Sequence, residues 1–234
     1  MPRPITISVI VPVKGERPDA VHGFLLLARD PHVEILVADG GGCPETSDAF
    51  RAIGAKVISD GGSRGARLDR AAREATGDAF LFVHSDSRIP EGAVDLIRET
   101  LRKGAVAGAF SLGYQDAGPG LRWIAAWANL RSRWLQMPFG DQGIFCSREA
   151  YQRAGGFRDL PICDDVDFVR RLKRVAALRI LPQKTLTSPR RYRDAGKLRQ
   201  VLRNWRVLAG YFAGVPSAKL QRWYNGDQAR STKE

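Results

Sequence analysis

Four short apolar runs, each followed by an amphipathic stretch, dominate the first hundred residues of the chain. The runs lack sustained polar and apolar alternation and lie at residues 5–13, 33–37, 56–59 and 79–83. The stretches with helical periodicity lie at residues 19–28, 45–53, 66–75 and 92–103. Apolar strands that alternate with helices are typical of a parallel sheet covered on both sides. The sequence therefore predicts an α/β fold with a mostly parallel central sheet flanked by helices.

The alternation loosens after residue 105. Further strands are predicted at residues 105–112, 143–146 and 178–187, the last interrupted at Pro182. Further helices are predicted at residues 121–135, 148–154, 165–175 and 197–213. No internal repeat or low-complexity linker divides the chain, so residues 1–234 are expected to form a single domain.

Acidic residues and glycines follow the predicted front strands. Asp39 precedes Gly40 and two further glycines, and Asp86 follows the fourth strand. The carboxyl ends of parallel strands meet at one edge, where ligands bind, and glycines there let backbone N–H groups approach a phosphate. A tight turn would also explain the glycines, and a turn cap would explain Asp86. Neither of these alternatives requires the residues to converge on one edge, as a ligand site does.

Several common sites are absent from the sequence. No Gly-Lys-Ser/Thr follows a glycine loop and no G-x-G-x-x-G follows the first strand, which argues against a P-loop NTPase and a Rossmann dehydrogenase. Cys43, Cys146 and Cys163 are widely spaced and contain no C-x-x-C pair, so they indicate neither a disulfide framework nor a zinc site. A reducing compartment is therefore expected.

A second polar cluster lies in the back half of the chain. It contains the turn Gly140-Asp141-Gln142-Gly143 and the acidic residues Asp164, Asp165 and Asp167. The helix dipole favours acids in a first turn, and one of them, Asp164, is expected to cap the helix. A neighbouring carboxylate would face a cleft, where it could serve as a general base.

The positive charge of the chain is unevenly distributed. The net charge is +12, and residues 148–234 contain 20 basic and 8 acidic residues, which accounts for the whole excess. Nucleic-acid binding is disfavoured because the front half is neutral and no nucleic-acid motif is present.

The predicted helix at residues 197–213 is amphipathic. Its apolar positions at helical spacing are Leu198, Val201, Leu202, Trp205, Leu208 and Phe212, and its separate basic stripe is Arg199, Arg203 and Arg206. Docking on an anionic membrane surface or a lipid-linked acceptor is one interpretation, and packing on the core with a solvated basic side is the other. The same choice between docking on a membrane and packing within the protein applies to Trp123, Trp127 and Trp134.

Taken in order, these motifs resemble those of inverting glycosyltransferases of family 2, which have the GT-A fold. The resemblance spans nearly the whole chain and is closest to the small bacterial subgroup associated with radical-SAM/selenodomain proteins. The matching segments are Pro12 and Glu16, Asp39-Gly40-Gly41, residues 75–86, Gly140 to Phe145, Gly155 to Phe157, Asp164-Asp165 and Arg190-Arg191. The chain departs from the subgroup pattern at Gly15, Asp69, Ala71 and Asp164. The first three departures lie on the donor side and leave the donor sugar and base open.

The resemblance implies a role for each matching residue. Contacts to the nucleotide sugar are expected from Pro12, Glu16, Asp39, Gly40, Arg64, Asp86, Arg190 and Arg191. Asp86 matches the metal-binding aspartate, so Mg²⁺ or Mn²⁺ is the expected cofactor. Asp165 matches the catalytic base, and Asp141, Gln142 and Asp164 are expected on the acceptor side. Residues up to about 115 would bind the nucleotide sugar, and residues from about 116 to 234 would hold the acceptor and the base.

The implied reaction transfers a sugar from a UDP- or GDP-sugar to a hydroxyl acceptor, which is either free or lipid-linked. The expected location is the cytoplasm, with or without attachment to the inner face of the membrane. Two alternatives are a degenerate nucleotide-sugar-binding protein without transfer activity and a nucleotidyltransferase. The short segment Lys14-Gly15-Glu16-Arg17 lacks the basic glycine-rich loop that a nucleotidyltransferase requires.

Overall fold

The computed structural model of the chain describes residues 3–190, 192 and 196–231. Its seven strands are β1 (Ile7–Val13), β2 (Val33–Asp39), β3 (Lys56–Ser59), β4 (Ala79–Phe82), β5 (Ala107–Tyr114), β6 (Ile144–Ser147) and β7 (Arg179–Thr187). They form one sheet in the order β3-β2-β1-β4-β6-β5-β7. Of these strands, β6 alone runs antiparallel to its neighbours. The predicted mostly parallel sheet is confirmed.

Helices cover both faces of this sheet. They are α1 (Pro44–Ala52), α2 (Arg64–Glu74), α3 (Ala93–Arg102), α4 (Pro119–Leu135), α5 (Arg148–Arg153), α6 (Asp164–Val175), α7 (Lys197–Phe212) and α8 (Ser217–Ser231). Strand side chains alternate between two apolar layers, so that Ile10 enters one layer while Val9 and Val11 enter the other. Burial on both sides explains why the strand sequences are continuously apolar.

The prediction of one continuous helix at residues 19–28 is wrong. The segment forms two short 3₁₀ helices, Pro18–Phe24 and Leu27–Arg29. Val21, Phe24 and Leu27 are buried and recur every three residues, which matches the three residues per turn of a 3₁₀ helix. The sequence therefore contained the correct apolar spacing, but its period of three residues is that of a 3₁₀ helix and not of an α-helix.

Strand β7 contains the predicted interruption. Phe110 of β5 pairs with Leu181, and the next residue, Ser111, pairs with Lys184. Pro182 and Gln183 therefore bulge out of the ladder, as expected for a proline that cannot donate a backbone hydrogen bond.

The predicted basic stripe of α7 is only partly correct. Arg203 is buried, donates a hydrogen bond to Gln200 and lies over the ring of Tyr224 on α8. Arg199 and Arg206 are exposed. The burial of Arg203 arises because α8 packs on this face of α7, which the pattern of α7 alone does not reveal. Among the described residues, no helix has both the length and the apolar character needed to cross a bilayer.

Candidate active site

The strand-end rim, defined here as Pro12, Glu16, Asp39 and Gly40, lies where β1 and β2 end. Val13 pairs with Asp39, which pairs with Ser59, so three strands end at one edge. The Asp39 carboxylate accepts hydrogen bonds from the backbone N–H of Gly41 (2.7 Å) and from the hydroxyls of Ser47 (3.0 Å) and Ser59 (3.1 Å). These contacts fix the glycine turn while Asp39 remains partly exposed.

Arg67 lies beneath this rim. Its Nη1 donates to the carbonyl oxygens of Val13 (2.9 Å) and Ala38 (3.3 Å), so it joins the ends of β1 and β2. A Cβ atom at Gly40 would lie 2.0 Å from that Nη1, which explains the need for glycine. Burial lowers the pKa of Arg67, although the charges of Asp39 and Glu16 oppose this shift. Sequence analysis missed Arg67, and the available signal was a charged residue beside Leu68 on the apolar side of α2.

The loops after β1 and β2 are in direct contact. A Cβ at Gly42 would lie 3.2 Å from the Cα of Gly15, and both glycines have positive φ. The Glu16 carboxylate accepts the backbone N–H of Lys14, and the Glu16 carbonyl accepts the hydroxyl of Thr46. Glu16 is thereby held at the same edge as Asp39.

The acidic corner, defined here as Arg64, His84, Asp164 and Asp165, lies beside this rim. Arg64 donates two hydrogen bonds to Asp164, at 2.9 and 2.6 Å, and its Nη1 lies 3.1 Å from Nε2 of His84. Glycine at residue 65 lets the start of α2 approach the start of α6, because a Cβ there would lie 3.0 Å from the Cβ of Asp164 and 2.2 Å from the carbonyl oxygen of Arg158 in the preceding loop. The corner therefore joins groups from α2, the end of β4 and α6.

The predicted cap of α6 is wrong. The N-cap position is Cys163, whose side chain makes no capping hydrogen bond. Asp164 is buried and turns its carboxylate to Arg64, because a buried carboxylate is costly unless it is paired with a cation. Burial raises the pKa of Asp164 against the attraction of Arg64. Burial also opposes the charged form of Arg64, yet the charges of Asp164 and Asp165 outweigh it and raise the pKa of Arg64.

Asp165 accepts two backbone N–H groups. Gly140 donates to its Oδ2 and Val166 to its Oδ1, both at 2.8 Å. Burial would raise the pKa of Asp165, but Arg64, the Gly140 N–H and His84 outweigh it and lower the pKa. Asp165 is therefore ionised at neutral pH, as a general base must be.

A narrow crevice connects the acidic corner to the rim. Its lining includes Pro12, Phe82, His84, Gly140, Asp164 and Asp165. A Cβ at Gly140 would lie 2.9 Å from Nε2 of His84 and 3.1 Å from Oδ2 of Asp165. Only glycine at this position leaves the crevice its present shape. His84, from the loop after β4, therefore lies directly beside Gly140 in this crevice.

Gln142, which the sequence places on the acceptor side, lies inside the fold. Gln142 is fully buried, donates to the carbonyl of Phe110 (3.1 Å), and accepts from Ser132 (2.8 Å) and the backbone N–H of Phe139 (3.1 Å). Its amide oxygen and nitrogen both form hydrogen bonds within the protein, as a buried amide must. Gln142 therefore supports the turn Gly140–Gln142 that carries Asp141.

Asp141 is partly exposed beside groups that sequence analysis missed. Its charge raises the pKa of both Tyr114 and Tyr192, in each case after burial as the larger cause. The two tyrosine rings pack edge to face, 5.4 Å apart. Burial lowers the pKa of Arg131 on α4, against the charges of Asp141 and Asp165. The sequence carries no local signal for this group, because its members come from separate elements.

Asp86 is exposed just beyond β4. Its backbone carbonyl accepts a hydrogen bond from Nε2 of Gln115 (3.2 Å), which ties the loop to the end of β5. Within the described ranges, no three His, Cys, Asp or Glu side chains are grouped to hold a metal ion. A single carboxylate nevertheless fits Mg²⁺ or Mn²⁺ bound mainly by substrate phosphates, because Mg²⁺ often uses one or two protein carboxylates.

Arg190 and Arg191 follow β7 in the sequence. Arg190 is exposed, and its backbone N–H donates to the hydroxyl of Ser188 at 3.3 Å. Arg191 lies outside the described residues.

Solved structures share this fold. A mannosyltransferase from Pyrobaculum calidifontis, PcManGT, in complex with GDP-Man and Mn²⁺ has a TM-score of 0.65 and 16% identity over 98% of this chain and 74% of its own. TarS 1-349 from S. aureus with UDP-GlcNAc has a TM-score of 0.59 and 15% identity over 79% of this chain and 58% of its own.

A third structure is similar. Glucosyl-3-phosphoglycerate synthase from Mycobacterium tuberculosis, with Mn²⁺, UDP and glucosyl-3-phosphoglycerate, has a TM-score of 0.54 and 21% identity over 77% of this chain and 70% of its own. The TM-scores show that the chain shares a fold with these proteins, and this fold is the GT-A-like arrangement predicted from the sequence.

Sequence comparison supplies the family. No curated protein matches the chain. The model of the family described as Glycosyl transferase family 2 matches residues 8–157, which run from the second residue of β1 past β6 and include both Asp39 and Asp86. The chain belongs to glycosyl transferase family 2.

Proposed function

We propose that the protein is an inverting glycosyltransferase that transfers a sugar from a UDP- or GDP-sugar to a hydroxyl acceptor. The observation that carries the proposal is the position of Asp165, whose ionised carboxylate lines a crevice that also reaches Pro12 of the strand-end rim. Similar structures bind GDP-Man, UDP-GlcNAc and UDP, which supports a nucleotide-sugar donor. The motif set further supports the radical-SAM/selenodomain-associated subgroup.

The rim would bind the nucleoside part of the donor. Asp39 and Glu16 present carboxylates at the ends of β2 and β1, where they can accept hydrogen bonds from ribose or base, and Pro12 lines the adjoining crevice. The Gly40 turn brings backbone close to the ligand. Residues up to about 115 would thus form the donor half.

The leaving diphosphate would be stabilised by charge. Asp86 would hold Mg²⁺ or Mn²⁺, and a bound divalent ion supplies neutralisation of the departing diphosphate. Mn²⁺ in two similar structures supports a divalent metal. Arg64 stands beside the crevice, and Arg190 and Arg191 follow β7, so all three are proposed as phosphate donors.

Asp165 would remove the acceptor proton during attack on the anomeric carbon. A carboxylate helps most in the transition state, because the hydroxyl loses its proton only as the new bond forms. The Gly140 N–H holds Asp165 in place, and Asp164 restrains Arg64 beside it. The charge of Asp141 acts on both Tyr114 and Arg131, and we assign this group to the acceptor side, formed mainly by residues 116–234.

The expected surroundings form part of the same proposal. We place the enzyme in the cytoplasm, at the inner face of the membrane, with a lipid-linked acceptor. Exposed tryptophans on α4, the helix that also carries Arg131, support this placement.

Calorimetry and an activity assay test the proposal. UDP and GDP are titrated with and without Mg²⁺ or Mn²⁺, and we expect one nucleotide to bind more tightly with metal. Asp86→Asn should remove most of this metal dependence, whereas the control Asp95→Asn, an exposed residue on α3, should retain it. Product from the matching sugar nucleotide should have the inverted anomeric configuration by NMR.

Two results would contradict the proposal. Failure of both nucleotides to bind under every metal condition would remove the donor site altogether. Nucleotide-sugar binding without transfer or hydrolysis would favour the non-catalytic binding protein instead.

A further inference from the structure

Two helices of the back half present rows of large apolar side chains to solvent. The α4 row is Trp123, Trp127, Leu130 and Trp134, and the α7 row is Leu198, Leu202, Trp205 and Phe212. Spacings of three, four and seven residues place each row on one face of its helix. Four of the five tryptophans of the chain are 55–79% exposed. Single exposed apolar residues are ordinary, but aligned rows mark an interaction surface.

The fold does not need these rows for its own packing. Helix α4 packs through Leu121, Ala125 and Ser132, which are buried on its other side. Helix α7 packs through Val207, and its buried residues Gln200 and Arg203 face α8. Both helices are therefore anchored by faces that leave the apolar rows uncovered.

The charged residues in the segments that carry both rows have one sign. Residues 117–140 and 195–226 contain no Asp or Glu, whereas α4 contains three arginines and α7 contains one lysine and three arginines. Arg133 and Arg199 are exposed beside the two rows. Tryptophan is enriched at membrane interfaces, where flanking arginines reach anionic headgroups.

We propose that the α4 and α7 rows dock the protein on a bilayer with anionic headgroups. The indole rings would enter the interfacial region while nearby arginines contact lipid phosphates. A second copy of the chain fits poorly, because it would bring positively charged helical segments together. An acidic protein partner is the occupant that the experiment must distinguish from lipid.

Docking would have a consequence for the acidic corner. Helix α4 carries both its apolar row and Ser132, which donates to Gln142 (2.8 Å) in the turn whose Gly140 N–H donates to Asp165 (2.8 Å). An α4 helix lying on lipid would therefore bring a lipid-linked acceptor close to Asp165. This consequence rests on the proposed transferase function, whereas docking itself does not.

Vesicle binding by the full chain tests the proposal. Sedimentation is compared for neutral phosphatidylcholine vesicles and for vesicles that also contain phosphatidylglycerol. We expect at least about 10-fold stronger partitioning to the anionic vesicles, with a loss of binding as salt shortens the Debye length. Tryptophan emission should shift to shorter wavelength as the rings leave water.

Matched variants locate the surface. The triple variants Trp123→Ser/Trp127→Ser/Trp134→Ser and Leu198→Ser/Leu202→Ser/Trp205→Ser should each lower partitioning by about 10-fold. The control Leu26→Ser removes a side chain that is 73% exposed outside both rows and should change partitioning less than about twofold. Melting temperatures should stay near that of the parent chain, because every substituted side chain is exposed.

The outcomes separate lipid from other occupants. Equal partitioning to neutral and anionic vesicles, or full binding by both triple variants, would overturn the proposal. If the parent chain ignores vesicles and light scattering shows a dimer that the triple variants dissolve, the rows bind a second copy. A parent chain that ignores vesicles and stays monomeric also overturns lipid docking and leaves an acidic protein as the occupant. Nucleotide binding by the same samples reports separately on the proposed transferase.

Discussion

The strand-end rim and the acidic corner lie side by side but are held by different forces. At the rim, Asp39 accepts a backbone N–H from its own turn, and Arg67 donates to two strand carbonyls. At the corner, Arg64 meets Asp164 from 100 residues away through a charged pair. Backbone contacts are fixed once the sheet forms, whereas the charged pair also requires α6 to dock. The donor side is thus built from within the front half, and the base depends on contact between both halves.

The largest effect that would sharpen this comparison is loss of the base. Asp165→Asn removes the proton acceptor and should lower transfer by roughly 10²- to 10⁴-fold, or about 3–5 kcal/mol of barrier. Both carboxylate oxygens of Asp165 accept backbone N–H groups, so the amide also loses one acceptor and about 1 kcal/mol of stability. Steady-state kinetics and calorimetry should show the rate loss with nucleotide affinity at the rim unchanged.

The pH profile provides the control for this variant. The pKa of Asp165 is lowered, so its carboxylate stays charged until the pH falls through that lowered value. The kcat/KM of the parent chain should therefore decline only below the usual aspartate pKa of about 3.9, and the residual activity of Asp165→Asn should lack this decline. Transfer that survives in Asp165→Asn but is lost in Asp164→Asn would move the base to Asp164.

The second effect concerns the force that holds the corner. Asp164→Asn leaves Arg64 without its bidentate partner, and Arg64 would shift toward Asp165, 3.7 Å away. Breaking a fully buried pair costs about 3–5 kcal/mol, but Arg64 is 31% exposed and water can solvate it, so we expect about 2 kcal/mol of lost stability. Urea unfolding measures this loss.

An exposed ion pair supplies the control for that measurement. Asp48→Asn removes the partner of Arg51, where both side chains are more than half exposed, and should cost less than about 0.5 kcal/mol. Equal losses from Asp48→Asn and Asp164→Asn would show that the corner is not held by its charged pair.

The same distinction explains what the sequence could predict. Strands β1 and β4 were predictable because burial on both faces leaves continuous apolar runs, as in Ile7–Val13. Asp39 and Asp86 could be placed because Asp39 ends β2 and Asp86 lies in the loop after β4. The hydrogen bonds of Asp164 and Gln142 could not be predicted, because their partners, Arg64 and Phe110, are distant in sequence. A local pattern records which residues are polar and does not record which distant group satisfies them.

Amphipathic helices show the same limit in another form. The pattern of α7 placed Leu198 and Leu208 on one apolar face, but Leu198 is exposed and Leu208 packs against the core. Two helical faces separated by a small angle cannot be distinguished until a neighbour, here α8, covers one of them. The sequence therefore showed that these helices contain large apolar residues, and only the folded structure shows which of those residues form an exposed surface.

The smallest effect tests whether the rim is held by steric fit. Gly40→Ala would place a methyl group 2.0 Å from Nη1 of Arg67, so the guanidinium must leave the carbonyls of Val13 and Ala38. Part of these hydrogen bonds would be recovered with water, and we expect a stability loss of about 1–2 kcal/mol by urea unfolding. Gly61→Ala, at a glycine with no atom within 4 Å of the added carbon, should cost nothing or stabilise slightly.

A double variant tests whether Arg67 is the reason for this loss. In the background Arg67→Ala, the guanidinium is already gone, so Gly40→Ala should add little further loss of stability. An additive double variant would mean that Gly40 is required for a reason other than Arg67, and the rim would then not be the sterically fixed region that distinguishes it from the corner.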